Sequence, residues 1–170
     1  IENIPTLIDR TVFPGLQGGP HMHVIAAKAV AFREASQPEF KVYAKQIVKN
    51  ANALAEALKN KGFELVTGGT DNHLILANVK NSFDVDGDEV QRALDSVGIT
   101  VNKNAVPDDT LPAFKPSGIR LGTPAITTHG MKEADMQKIA DWIYETTVNR
   151  SNSNQLDKIR QEVLSFISKF

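Results

Sequence analysis

The strongest constraint on this chain is an amphipathic run from about Phe40 to Lys61. Val42, Tyr43, Ile47, Val48, Ala51, Leu54, Ala55 and Leu58 recur at i, i+3, i+4 spacing and form one apolar stripe. Such a stripe has to be buried against a neighbouring layer. Ser36 with Glu39 three residues later has the spacing of a capping box and predicts the helix start. Lys59, Lys61 and Gly62 predict its end. Ahead of it, Pro20 to Ala35 predicts a second helix, with Pro20 in the first turn. Its small residues Ala26, Ala27, Ala29 and Ala31 permit close packing, and Pro38 separates the two helices.

Beyond Gly62 the pattern changes. Phe63 to Val66 and His73 to Val79 predict strands, joined through Gly68-Gly69-Thr70-Asp71. The second strand is almost continuously apolar, as in a strand buried on both faces. Asp86 with Glu89 predicts the start of a short helix carrying Val90, Ala93, Leu94 and Val97, which Gly98 ends. Ile99 to Val101 predicts a strand, and Ile119-Arg120-Leu121 another that stops at Gly122-Thr123-Pro124. Between them, Asn102 to Ser117 is polar, contains Pro107, Pro112 and Pro116, and predicts a long loop; loops of that length inside compact domains tend to be functional. Lys132 to Val148 predicts a helix with Met136, Ile139, Ala140 and Ile143 inward. After an Asn/Ser-rich linker, a last helix aligns Leu156, Ile159, Val163, Phe166 and Phe170. The expectation is a helix-rich opening, a long connecting helix, and a small α+β unit of about three to four strands with helices on one face.

Composition narrows the function classes. Of 170 residues, 41% are hydrophobic and 23% charged, enough apolar material to exclude disorder as the main description. The formal net charge of −1 gives no basic footprint for nucleic acid or an anionic membrane. No apolar run approaches the roughly 20 residues of a membrane helix. With no cysteine, disulfides, thiolate metal sites and cysteine nucleophiles are excluded, and a cytoplasmic location fits. The chain begins Ile1-Glu2-Asn3 rather than with Met, so it is expected to be the tail of something longer.

Some residues stand out chemically. Gly15-Leu16-Gln17-Gly18-Gly19-Pro20 before a helix is either a plain glycine turn or a backbone cradle for phosphate. Arg120, in an apolar strand between glycines, needs an anion: a ligand carboxylate held by two hydrogen bonds, or an internal Asp or Glu. The amides of Asn102 and Asn104 suit a heterocycle edge with donors and acceptors, or a turn. His21 and His23, two apart near a helix start, are expected to point to different sides, and the histidine spacing predicts no metal site. His73 is expected to be structural or to line a cleft. Charged helix positions such as Lys132 with Glu133 and Lys158 with Glu162 are expected on solvated faces.

Together these segments resemble serine hydroxymethyltransferase. The resemblance is carried by Val12 to Phe32, Gly69-Thr70-Asp71-Asn72-His73, Thr100-Val101-Asn102-Lys103-Asn104 and Ser117-Gly118-Ile119-Arg120-Leu121-Gly122-Thr123-Pro124-Ala125. It implies a fold-type I α/β enzyme that uses pyridoxal 5′-phosphate and tetrahydrofolate to interconvert serine and glycine. On that basis residues 1–36 would end the large cofactor-binding domain, 37–61 would be the connecting helix, and 62–170 the small C-terminal domain.

The resemblance also implies roles. Gly18 and Gly19 would contact the cofactor phosphate of a neighbouring subunit, implying a homodimer or homotetramer. Arg120 would hold the carboxylate of the amino-acid substrate, and Asn104 would contact the pterin of folate. Pro112, Ala113 and Phe114 match a folate-contacting stretch that is usually Ser-Pro-Phe, with only Phe114 retained. The lysine that forms the Schiff base with pyridoxal phosphate sits, in the family, in a Thr-Thr-His-Lys context upstream of the segment matching Val12. Neither Lys28 nor Lys103 has that context, so no catalytic residue is assigned here and the chain alone is expected to be inactive. Two other readings are a stand-alone binding or assembly module, and another fold-type I enzyme such as a threonine aldolase or aminotransferase.

Overall fold

The computed structural model describes residues 3–170; Ile1 and Glu2, on which the non-Met start falls, lie outside them. The chain divides into two units, the first ending at Lys41 and the second Val42–Phe170.

The first unit holds helix α1 (Ile4–Arg10), one wide π-type turn (Thr11–Leu16), helix α2 (Met22–Ala35) and the opening of helix α3 (Pro38–Asn60). Asn3 caps α1 by accepting the Thr6 N–H at 3.3 Å. Helix α2 starts later than its sequence predicts. His21 takes the N-cap position in extended geometry, so Pro20 lies outside the first turn. Ser36 does not open α3; it closes α2, its hydroxyl donating to the Arg33 carbonyl at 2.7 Å. None of the described residues in this unit is buried. Leu7, Ile8, Val12, Phe13 and Phe32 all stand exposed, so the unit builds no core of its own.

The second unit contains the core. Four strands form one antiparallel sheet in the order β1-β2-β4-β3: β1 (Glu64–Leu65), β2 (Leu74–Asn78), β3 (Asn102–Asn104) and β4 (Gly118–Gly122). The helices are α4 (Val79–Phe83), α5 (Gly87–Ser96), α6 (Pro124–Thr128), α7 (Glu133–Val148) and α8 (Ser153–Ile167). Ile75, Ala77, Ile119 and Leu121 from the two central strands pack with Leu54 and Leu58 of α3, Val90 and Leu94 of α5, and Met136 and Ile143 of α7. Full burial of such a side chain is worth roughly 1.5–3 kcal/mol. Phe166 completes the α8 side, edge-on to Trp142 at 5.2 Å.

Several predicted elements appear as expected. Asp86 accepts the Glu89 N–H at 2.8 Å to start α5, and Gly98, with φ of +86°, follows its end. Other expectations are corrected. Strand β2 is not buried on both faces: Ile75 and Ala77 face the core, while Leu74 is exposed and Leu76 half-exposed. The ladder beyond Gly98 forms at Asn102–Asn104, not Ile99–Val101, so the long loop begins at Ala105. Val101 is buried without joining the ladder. Glu162 is more than a solvated charge, because it accepts the Trp142 indole N–H at 3.0 Å and pairs with Lys138 at 3.4 Å. Glu133 accepts from Gln46 at 2.8 Å. Helix α4 takes over at Val79, where the predicted strand should still run, and the rest of it and α6 lie in stretches without a predicted element. Their signals are short: Asn78 accepting the Asn81 N–H at 3.0 Å, and Pro124 in the first turn after Thr123.

Both sheet edges are tied by side chains. Ser82 Oγ accepts the Glu64 N–H at 2.8 Å on one edge, and Gln91 Oε1 accepts the Lys103 N–H at 2.7 Å on the other. At Gly118 the chains crowd. A Cβ there would lie 2.9 Å from the carbonyl oxygens of Ala77 and Asn104 and 2.8 Å from Val106 Cγ1. Gly118→Ala is therefore expected to cost about 1–3 kcal/mol, read as a lower urea midpoint; a wild-type midpoint would show that the strands separate freely at that point.

Candidate functional site

Strand alternation sorts the sheet into two faces. Arg120 pairs across β4 with Leu76 on one side and Asn102 on the other, and directly opposed residues share a face. Asn104 is opposite Gly118, so it lies on that same face as a diagonal neighbour of Arg120. The open face therefore carries Leu74, Leu76, Arg120, Asn102 and Asn104. Lys103 falls on the opposite, helix-covered face, where its Nζ binds Asp88 of α5 at 2.7 Å.

Arg120 is exposed. Among the described residues no carboxylate pairs with it, so the internal ion pair that its position allowed is not formed there. It lines an open cleft of about 610 Å³ with Leu74, Leu76 and the turn Thr67 to Asn72. That turn is shaped locally: Gly68 has φ of +70°, and Asn72 Oδ1 accepts the Leu74 N–H at 2.7 Å. The structure thus joins the Gly69-Thr70-Asp71-Asn72 segment to Arg120. The sequence gives no sign of this, because strand register creates it. His73 is exposed beside the cleft, and its backbone carbonyl accepts the Thr123 N–H at 3.2 Å.

The loop 105–117 follows Asn104. Asn104 Nδ2 donates to the Ala105 carbonyl at 2.6 Å, which leaves Oδ1 as an acceptor. Pro112 and Ala113 are exposed, and Phe114 is 68% exposed, an aromatic face offered to solvent. Lys103 Nζ also donates to the Phe114 carbonyl at 3.0 Å, tying the loop to Asp88. The Lys103 hydrogen bond, with Arg92 and Lys115 also nearby, holds the Asp88 carboxyl below its ordinary range. Asp109, unremarked in the sequence, is the hub of the loop. Its carboxylate accepts the Ser117 hydroxyl at 2.6 Å and the N–H groups of Ser117, Leu111 and Val106 at 2.9, 2.9 and 3.2 Å. The Ser117 hydroxyl, then these backbone amides, outweigh desolvation and lower its pKa to about 2. An Asp accepting the N–H two residues on is the signal that marks it.

Gly18 and Gly19 belong to the first unit. Both are exposed, and a Cβ on either would meet nothing within 4 Å. Among the described residues neither amide donates a backbone hydrogen bond. Two free, open N–H groups fit a phosphate. They fit only that part of pyridoxal phosphate, since no lysine here has the context of a Schiff-base partner. The rings of His21 and His23 do not point apart as expected; they meet edge-on at 5.6 Å, because His21 is an extended cap residue rather than part of the helix.

Because Asp109 has its pKa lowered by folding, its stabilisation is complete above the ordinary value of 3.8 and lost as pH falls through about 2. Amide protection at Leu111 and Ser117 is expected to hold from pH 7 to about 4 and to fall below that. Loss of protection between pH 7 and 5 would contradict the assignment.

The comparisons agree with one another. A family model described as serine hydroxymethyltransferase matches residues 1–143. Serine hydroxymethyltransferase of Acidobacterium capsulatum is 55% identical over 163 residues, covering 96% of this chain and 38% of that protein. Serine hydroxymethyltransferase of Methanospirillum hungatei is 52% identical over 163 residues, covering 96% of this chain and 39% of its own length. The chain thus spans well under half of these relatives. They do not favour the stand-alone module or another fold-type I enzyme.

Proposed function

The chain belongs to the serine hydroxymethyltransferase family, and on that premise we propose that it is the C-terminal portion of an enzyme that moves the hydroxymethyl group of serine to tetrahydrofolate. The observation that carries this reading is Arg120, a guanidinium without a protein carboxylate among the described residues, lining a cleft on the open sheet face.

Arg120 holds the carboxylate of serine or glycine through two parallel N–H···O bonds. Its task is positioning: a fixed carboxylate fixes the rest of a small amino acid. Asn104 offers its free Oδ1 to a donor on the pterin edge, and Phe114 offers an aromatic face to the ring. Pro112 and Ala113 border the same surface with backbone and apolar contacts, in place of the family's usual first two residues. Gly18 and Gly19 give their amides to the phosphate of a neighbouring subunit's cofactor, so the site is completed in a homodimer or a larger homo-oligomer. Pyridoxal phosphate, when bound, supplies the electron sink for bond cleavage at the substrate's α-carbon. Within this reading, residues 1–36 end the large domain, 37–61 connect, and 62–170 form the small domain. A cytoplasmic location rests on the cysteine-free composition. Among the described residues no helix is long and apolar enough to cross a membrane.

In the full-length enzyme, Arg120→Ala is expected to raise the serine KM by about 100-fold or more and to lower turnover, a loss of about 3 kcal/mol for a charge-assisted pair. Arg120→Lys should recover only part, since one ammonium does not reproduce the planar fork. Unchanged serine kinetics in Arg120→Ala would remove the role. The isolated chain mixed with pyridoxal phosphate is expected to show neither a lysine-dependent absorption band nor serine cleavage; a clear band would refute the assignment of the anchoring lysine to a segment upstream.

A further inference from the structure

The carboxylate of Asp109 gathers donors from three separate points of the loop 105–117. Oδ1 accepts the Ser117 hydroxyl at 2.6 Å and the Leu111 N–H at 2.9 Å. Oδ2 accepts the Ser117 N–H at 2.9 Å and the Val106 N–H at 3.2 Å. Val106 lies just beyond Asn104, Leu111 just before Pro112, and Ser117 just before β4 begins. Along the chain these bonds bracket half-buried Asn104 and the exposed residues Pro112, Ala113 and Phe114. A carboxylate has about four acceptor positions, and the loop uses them, so Asp109 has no acceptor left for a ligand. Its contribution is geometric.

We propose that Asp109 is the positioning residue for the folate side of the site, folding the loop 105–117 back onto β4 so that Asn104 and Phe114 keep a fixed arrangement before folate arrives. This inference rests on the folate reading of that surface given above. A preorganised loop avoids an ordering cost on binding. Arg120 does not depend on the device, because ladder hydrogen bonds to β2 and β3 hold its strand. Asparagine is a poor replacement: its amide NH₂ would face two of the donors that the carboxylate now accepts.

The test uses the full-length enzyme with Asp109→Asn and Ser117→Ala. Asp109→Asn is expected to raise the tetrahydrofolate KM about ten-fold, with the serine KM within about two-fold and kcat at saturating folate within about three-fold. Hydrogen exchange should quicken at the amides of Val106, Leu111 and Ser117 and stay unchanged in α5 and α7. Faster loop exchange with an unchanged folate KM overturns the inference. So does an equal rise in both KM values, which marks a merely structural role. If Asp109→Asn does not fold, Ser117→Ala decides: about a three-fold rise in folate KM with native melting supports the inference, and an unchanged folate KM overturns it. A wild-type enzyme indifferent to tetrahydrofolate defeats the folate reading itself, and this inference with it. That case is recognised in the wild-type enzyme, before any variant is compared.

Discussion

A β-strand that turns one side chain into a core turns the next one out. In this protein, Ile75 and Ala77 on β2 and Ile119 and Leu121 on β4 are buried under α3, α5 and α7. The antiparallel register then leaves Leu74, Leu76 and Arg120 no choice of face. A slip of one residue would put a guanidinium into an apolar core, at a cost of many kcal/mol if unpaired. Burial of one face thus delivers Arg120 to the other, and the same alternation carries Asn102 and Asn104 to it while Lys103 goes to α5.

The loop after β3 is held differently. It buries few of its apolar residues, so polar anchors fix it: Lys103 on the Phe114 carbonyl, and Asp109 on Ser117, Leu111 and Val106. Its return into the sheet is tight. Gly87 N–H donates to the Pro116 carbonyl at 2.7 Å, and Lys80 N–H to the Ser117 carbonyl at 3.0 Å. The rigid part of the site comes from hydrophobic burial, and the recognition loop from a small number of charge-assisted hydrogen bonds.

Much of this was legible in the sequence, for definable reasons. The stripe from Val42 to Leu58 has a single period, and its inner residues Ala51, Leu54, Ala55 and Leu58 are buried. Asp86, Glu89 and Gly98 punctuate α5 by local hydrogen bonding and backbone geometry, which need no tertiary context. What escaped depends on distant partners. Asn102-Lys103-Asn104 has poor strand propensity and pairs because β4 is available, while the better strand former Val101 packs without pairing. The apolar run Leu74 to Ala77 conceals an open face, because alternation is invisible when every residue is hydrophobic. Ser36 had two helices to serve and closed the first. Arg120 was conspicuous as a charge among apolar neighbours, whereas its companions Thr67 to Asn72 were brought to it by β-sheet register alone.

The first unit presents exposed apolar side chains and two open glycine amides, and the second an exposed arginine on its sheet. In the proposed function Arg120 takes a substrate carboxylate. The most direct measurement is a diffraction structure of the full-length enzyme with glycine bound. Both glycine carboxylate oxygens are expected at about 2.7–2.9 Å from the guanidinium nitrogens of Arg120. Glycine bound with its carboxylate elsewhere, and Arg120 paired instead with an acidic side chain of the protein, would contradict it.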